Sequence, residues 1–95
     1  MVYFLVSTYF DEKNGNDDYL EYIKSVEPIV NKYHGRYRIR SENITALHPQ
    51  WKPNRVILIE FETRQALEAC FASKEYRQIA ALRENSVDSR AIIVE

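Results

Sequence analysis

Val2 to Phe10 is a run of β-branched and aromatic residues in which both alternating faces are apolar. Val2, Phe4, Val6, Thr8 and Phe10 fall on one side, Tyr3, Leu5, Ser7 and Tyr9 on the other. A strand of this kind is normally covered on both faces. Asp11 to Asn16 reads as a turn, after which Asn16 or Asp17 can cap a helix. Tyr19, Tyr22, Ile23, Val26, Ile29, Val30 and Tyr33 then recur at helical spacing, one apolar stripe about four turns long. Pro28 lies inside it and should kink or restart the helix; Gly35 is placed to be its left-handed stop.

Arg36 to Arg40 alternates again, with Tyr37 and Ile39 on one side and Arg36, Arg38 and Arg40 on the other. Ser41-Glu42-Asn43 predicts a reversal and Ile44 to Leu47 a weak returning strand, while the two prolines of His48 to Pro53 demand a loop. Arg55 to Phe61 is the clearest strand, Ile57, Ile59 and Phe61 on one face and Val56, Leu58 and Glu60 on the other. Thr63 can cap a second helix carrying Ala66, Leu67, Cys70 and Phe71. Ser73 can cap a continuation with Tyr76, Ile79, Ala80, Leu82 and Arg83. Asn85 to Asp88 breaks the pattern, and Ser89 to Val94 is a last strand.

The order β-α-β-β-α-β with right-handed crossovers predicts a ferredoxin-like α+β sandwich, one domain over residues 1–95 with an antiparallel sheet whose first and third strands are central. Two helices cover one face of that sheet, yet the central strands are apolar on both. At about 25 cal/mol per Å², several wet apolar side chains would cost several kcal/mol, a large share of a small domain's roughly 5–15 kcal/mol margin. A second copy packed sheet against sheet removes that cost, so a homodimer with a central α+β barrel is expected.

Thirteen basic and fourteen acidic residues among 95 leave a net charge of -1, which argues against a nucleic-acid partner. RNA-recognition domains share the strand order, but the third strand here, Arg-Val-Ile-Leu-Ile-Glu-Phe, lacks their basic-glycine-aromatic motif. Cys70 is the lone cysteine, so no internal disulfide can form and a reduced, cytoplasmic protein is expected. Apolar runs fall far short of the ~20 residues that span a membrane, and the start lacks a signal peptide's basic region and cleavage site. With only Gly15 and Gly35 available there is no phosphate-cradling glycine loop, either of the nucleotide-binding kind or of the kind an acylphosphatase-like activity needs after the first strand.

The stretch HGRYRIRSENITALHPQWKPNRVILIEF, with ALEACFASKEYRQIAALR and SRAIIVE after it, resembles the domain-of-unknown-function family numbered 1330. The likeness runs over essentially the whole chain. It is carried most specifically by Gly35, Arg36, Arg40, Trp51, Pro53, Arg55, Phe61, Tyr76 and Arg83. The family typically has two glycines where this chain has His34-Gly35, a Gly-Gly hairpin at Ser41-Glu42, and often an acidic residue at His48. The resemblance implies the dimeric α+β barrel superfamily and, if the protein is an enzyme, chemistry without a cofactor, such as proton transfer or oxygenation of an activated carbon.

Five residues are candidate ligand-binding groups: Arg36, Arg40, Trp51, Tyr76 and Arg83. Arginine forks suit carboxylates or phosphates, although charge on Arg36, Arg38 and Arg40 would equally protect an edge strand. Trp51 can wall a pocket, pack or touch a second copy. Tyr76 and Arg83 lie two helical turns apart on one side, able to present a phenol and a cation together or merely to pack and pair. His34 and His48 are the candidate general bases, with His34 equally suited to a helix C-terminus. Cys70 reads as a packing residue. No metal-ligand spacing occurs, and neither a metal nor a cofactor is expected. The reading is a homodimer that binds a small anionic or carbonyl-bearing organic molecule between sheet and helices or at the barrel mouth. The competing reading is a non-catalytic effector-binding or structural module.

Overall fold

The computed structural model describes residues 1–10 and 17–95. The turn expected over 11–16, with Asn16 as a cap, lies outside the described residues. The elements are β1 (Val2–Phe10), α1 (Asp17–Lys32), β2 (Arg36–Ser41), β3 (Arg55–Phe61), α2 (Arg64–Ala72), α3 (Lys74–Glu84) and β4 (Val87–Val94). The strands pair antiparallel in the order β2-β3-β1-β4, so the first and third are central, as their apolar content requires. This is the ferredoxin-like α+β fold, with the second helical segment divided in two.

The division is capped on both sides. Thr63 Oγ1 accepts from the Ala66 N–H at 3.0 Å. Ser73 Oγ accepts from the Tyr76 N–H at 3.2 Å and donates to the Cys70 carbonyl at 2.7 Å, so one hydroxyl ends α2 and starts α3.

Register assigns the two sheet faces. Val2, Phe4 and Val6 lie opposite Phe61, Ile59 and Ile57, on the face that meets the helices. There Phe61, Val30 and Cys70 are fully buried, with Tyr19, Leu67 and Ile59 nearly so. Tyr3, Leu5 and Ser7 lie opposite Glu60, Leu58 and Val56 on the other face, which no helix covers. On β4 the alternation carries Ala91 and Ile93 to the helix face and Ile92 and Val94 to the open one.

Four local expectations are corrected. Pro28 neither ends nor restarts α1, which runs unbroken to Lys32; the residue is on the exposed side, where water can solvate the carbonyl it leaves free. Ile44 to Leu47 is not a strand: the chain leaves the sheet after Ser41 and crosses to Arg55 as a loop. β4 begins at Val87, two residues before the expected Ser89. The left-handed residue at the end of α1 is His34 (φ 64°), not Gly35. The His34 N–H bonds to the Asn31 carbonyl at 3.0 Å and the Gly35 N–H to the Val30 carbonyl at 2.9 Å, the paired closure of a Schellman motif with His34 in the position glycine prefers. Gly35 is required for a different reason. A Cβ there would come within 2.6 Å of Val30 Cγ1 and 2.8 Å of Phe61 Cε1, both in the buried core.

Two neighbouring substitutions therefore act in opposite directions. His34→Gly relieves the left-handed conformation and should stabilise by about 1 kcal/mol. Gly35→Ala overpacks Val30 and Phe61 and should destabilise by about 1–3 kcal/mol. Urea denaturation of the two variants measures both.

Candidate functional site

The packing of α1 and α3 over the sheet leaves a cavity of about 70 Å³. At roughly 10–15 Å³ of such volume per water molecule, it has room for a head group of five or six heavy atoms. Its apolar wall is Phe4, Val6, Val26, Ile57, Ile59, Phe71 and Ala91; its polar groups are Thr8, Tyr19, Tyr22, Tyr37, Tyr76 and Arg83. The aromatic residues come from several elements and brace one another. Tyr19 stacks on Tyr22 at 6.1 Å between centroids, and Phe71 meets Tyr76 edge-on at 4.9 Å.

Tyr22 on α1 and Tyr76 on α3 share a buried hydrogen bond, hydroxyl to hydroxyl at 3.0 Å. Arg83 lies beside them, its guanidinium carbon 6.0 Å from the centre of the Tyr22 ring. Its side chain is 26% exposed, and its only ion-pair contact among the described residues is Glu84 at 4.0 Å. Arg38, Arg40 and Arg64 instead meet carboxylates at 2.9, 2.5 and 2.6 Å. Among the described residues Arg83 is thus a half-buried cation whose charge is poorly matched, next to two phenols and an apolar cavity.

Burial sets the protonation of three phenols of the cavity, those of Tyr19, Tyr22 and Tyr37. It pushes Tyr22 well above the usual tyrosine range, with the neighbouring Tyr76 adding to the shift and Arg83 opposing it. Tyr37 is pushed up to about 12 by burial and by the Glu27 carboxylate, against the opposing Arg40. Tyr19 is raised by burial despite its hydrogen bond with Thr8. At neutral pH the phenols of Tyr19, Tyr22 and Tyr37 are therefore hydrogen-bond donors rather than bases. Burial also raises the Cys70 thiol to about 11, with Glu75 adding to it, which makes it a core group rather than a nucleophile.

The structure divides the residues singled out from the sequence. Tyr76 and Arg83 line the cavity together. Arg40 stands at its rim: its guanidinium covers the ring of Tyr37 at 4.5 Å and pairs with Glu27 of α1. Arg36 does not join them. The expected single face of Arg36, Arg38 and Arg40 is broken by a register shift between Tyr37 and Ile39, which places Arg36 opposite Glu60 and Arg40 opposite Ile57. Arg40 therefore turns to the helix face, while Arg38 bonds Glu60 on the open face at 2.9 Å. Trp51 and His48 flank a hollow formed by the 44–56 segment, and Trp51 also reaches Leu5, Ser7 and Ile92 of the open face. His34 is exposed at the end of α1. Among the described residues, no histidine and no carboxylate lines the cavity. None places three or more His, Cys, Asp or Glu side chains together to hold a metal ion.

Sequence reading missed Tyr19, Tyr22, Tyr37 and Thr8 as cavity residues. The available signal was the use of tyrosine, with a hydroxyl that must find a partner, at stripe positions where leucine or isoleucine would pack without that demand.

The chain belongs to the domain-of-unknown-function family DUF1330, whose profile matches residues 2–95. No curated protein matches it. Among solved structures it is similar to the RPA0582 protein of unknown function from Rhodopseudomonas palustris: TM-score 0.82, 17% identity, covering 98% of this chain and 79% of that one. It is also similar to a dimeric ferredoxin-like protein of unknown function from Jannaschia sp. CCS1: TM-score 0.81, 15% identity, covering 99% and 97%. An antibiotic biosynthesis monooxygenase shares the fold at a TM-score of 0.68 and 13% identity, covering 100% and 97%. At these identities the likeness is one of fold.

If the Tyr22–Tyr76 bond is the polar tie between α1 and α3, Tyr22→Phe or Tyr76→Phe alone strands one buried hydroxyl and should cost about 1–3 kcal/mol. The double variant should cost less than the sum of the two. A double-mutant cycle in urea measures the coupling.

Proposed function

We propose that this DUF1330 chain is one domain over residues 1–95 that pairs with a second copy and binds a small anionic or carbonyl-bearing organic molecule in the cavity between its sheet and helices. The observation that carries this reading is the convergence of Arg83, Tyr22 and Tyr76 on an otherwise apolar cavity. A ligand carboxylate or carbonyl oxygen set against Arg83 would supply the close anionic partner that Glu84 does not, and the phenol pair can add a donor to it. Donors fixed in a largely apolar site would also stabilise an enolate-like charge. The absence of a base among the described lining residues favours a binding or polarising role over acid–base turnover by His34 or His48. A cytoplasmic setting suits the lone, buried Cys70 thiol. No helix among the described residues is long and apolar enough to cross a membrane.

The pairing surface is the open sheet face. Ile39, Ile92 and Val94 are 46%, 57% and 46% exposed there, and Leu47 and Trp51 of the crossing loop are exposed as well. An uncovered apolar sheet face of this kind is normally an interface, and one solved relative in fold is itself described as dimeric.

The binding reading is tested by isothermal titration with small carboxylates and aldehydes. Arg83→Gln should weaken binding at least tenfold, while Arg40→Ala, at the rim, should change it by less than threefold. Binding should stay level between about pH 6 and 9, because the Arg83 guanidinium keeps its charge and the Tyr22 phenol, raised by burial, keeps its proton throughout that range; equal affinity in wild type and Arg83→Gln removes the site. The pairing is tested separately by sedimentation. Ile92→Lys, which sets a charge on the open face, should raise the dimer dissociation constant at least tenfold; a wild-type chain that sediments as a folded 11.3 kDa particle at micromolar concentration overturns it.

A further inference from the structure

The cavity is too small for more than a head group, so its surroundings constrain the rest of any ligand. Phe4, Phe71, Tyr76 and Arg83 line the cavity and also line a second, shallow groove on the same side of the sheet, about 510 Å³ in volume. Leu67, Ala72 and Ile93 complete its apolar wall. Phe4 and Phe71 pack closely, 4.4 Å between centroids, and Ile93 lies opposite Phe4 on the helix face of β4. The helices leave this edge of the sheet uncovered: Ile93 is 38% exposed although it points to the side where the core lies. The groove's polar features are unevenly placed. Tyr76 and Arg83 stand where it meets the cavity, whereas the Glu68 carboxylate is exposed and bonded to Arg64 at 3.0 Å. One end of the joined space therefore offers a poorly matched cation and phenols, and its length offers apolar wall.

We propose that the ligand is an amphipathic organic acid whose carboxylate is held at Arg83 and the Tyr22–Tyr76 pair, and whose unbranched apolar chain leaves the cavity along this groove. The inference rests on the binding reading above and goes beyond it by naming the ligand class and the path of its tail. The polarity of the groove fixes the orientation. A carboxylate at the outer end would face Glu68, whereas at the inner end it faces Arg83.

Isothermal titration with the straight-chain acids from butanoate to decanoate tests this on the intact protein. The dissociation constant should fall roughly two- to fourfold with each added methylene, the factor expected for its full or partial burial. Ala72→Trp fills the groove from an exposed position without touching Arg83 or the phenols. It should flatten that slope while leaving the butanoate constant within twofold of wild type. Arg83→Gln should weaken every member of the series. If butanoate binds through Arg83 but affinity is flat with chain length, the groove assignment is overturned and the binding reading stands. If no acid of any length binds, both fall. If Ala72→Trp leaves the slope unchanged, the chain lies elsewhere and the groove assignment is overturned. If it instead converts the sedimenting species to a smaller one, the groove is a contact between copies and the assignment falls likewise.

Discussion

A single buried hydrogen bond sets the spacing on which the site depends. Tyr22 and Tyr76 are 54 residues apart in sequence and belong to different helices, yet their hydroxyls meet at 3.0 Å in the interior. A hydroxyl taken out of water without a partner costs on the order of 1–3 kcal/mol, so either phenol alone would resist burial. The pair ties α1 to α3 through its two rings, and the cavity lies between those rings and the sheet. Ser73 makes this possible from a distance. By capping α3 afresh it sets the rotational phase that turns Tyr76 inward, and Arg83, two turns later, follows on the same side.

The sheet beneath is one layer with two unlike faces. On the helix face the aromatic core closes around Phe61 and Val30, so tightly at Gly35 that even a methyl group has no room. On the open face Leu5, Leu58, Val56, Ile92 and Val94 lie among Tyr3, Ser7 and Tyr9, with Arg90 and Asp88 on one edge and the Arg38–Glu60 pair toward the other. That pairing holds the Glu60 carboxylate below its usual range, chiefly through the Arg38 hydrogen bond. Both groups keep their charges on the face that the proposed dimer would use, giving it a polar element of register within an apolar contact.

Much of this arrangement was legible from residue order. The strands Val2–Phe10 and Arg55–Phe61, the caps at Thr63 and Ser73, and the α1 stripe follow from period and capping chemistry, which act over a few residues. The pairing of Tyr76 with Arg83 was legible for the same reason, since both belong to one helix. What was not legible depends on single-residue departures that arise only when elements meet. One extra residue near Arg38 reverses the facing of everything after it, so the alternation Arg36, Arg38, Arg40 does not survive as a common face. His34 accepts the left-handed conformation that glycine would adopt more readily, because the crowding at Val30 and Phe61 reserves the glycine for the next position. Trp51 lies in a loop without periodicity, so nothing in its neighbourhood indicated that it would reach the open face rather than the cavity.

Strand β4 determines how separable the two proposed activities are. Its residues alternate between surfaces: Ala91 and Ile93 face the cavity and groove, while Ile92 and Val94 face away, toward the proposed partner. Adjacent residues a few ångströms apart along the backbone therefore serve opposite sides of a single layer. The cavity draws its described lining from one protomer, so the head-group site does not need the second copy to be complete. Pairing would contribute instead by covering the outward-facing aliphatics and holding the edge strand in place, and the groove shares that strand. A chain that bound its ligand on the open face would lose the site whenever it paired. Placing the cation and phenols under the helices would let the proposed assembly and ligand capture proceed together, with β4 serving both.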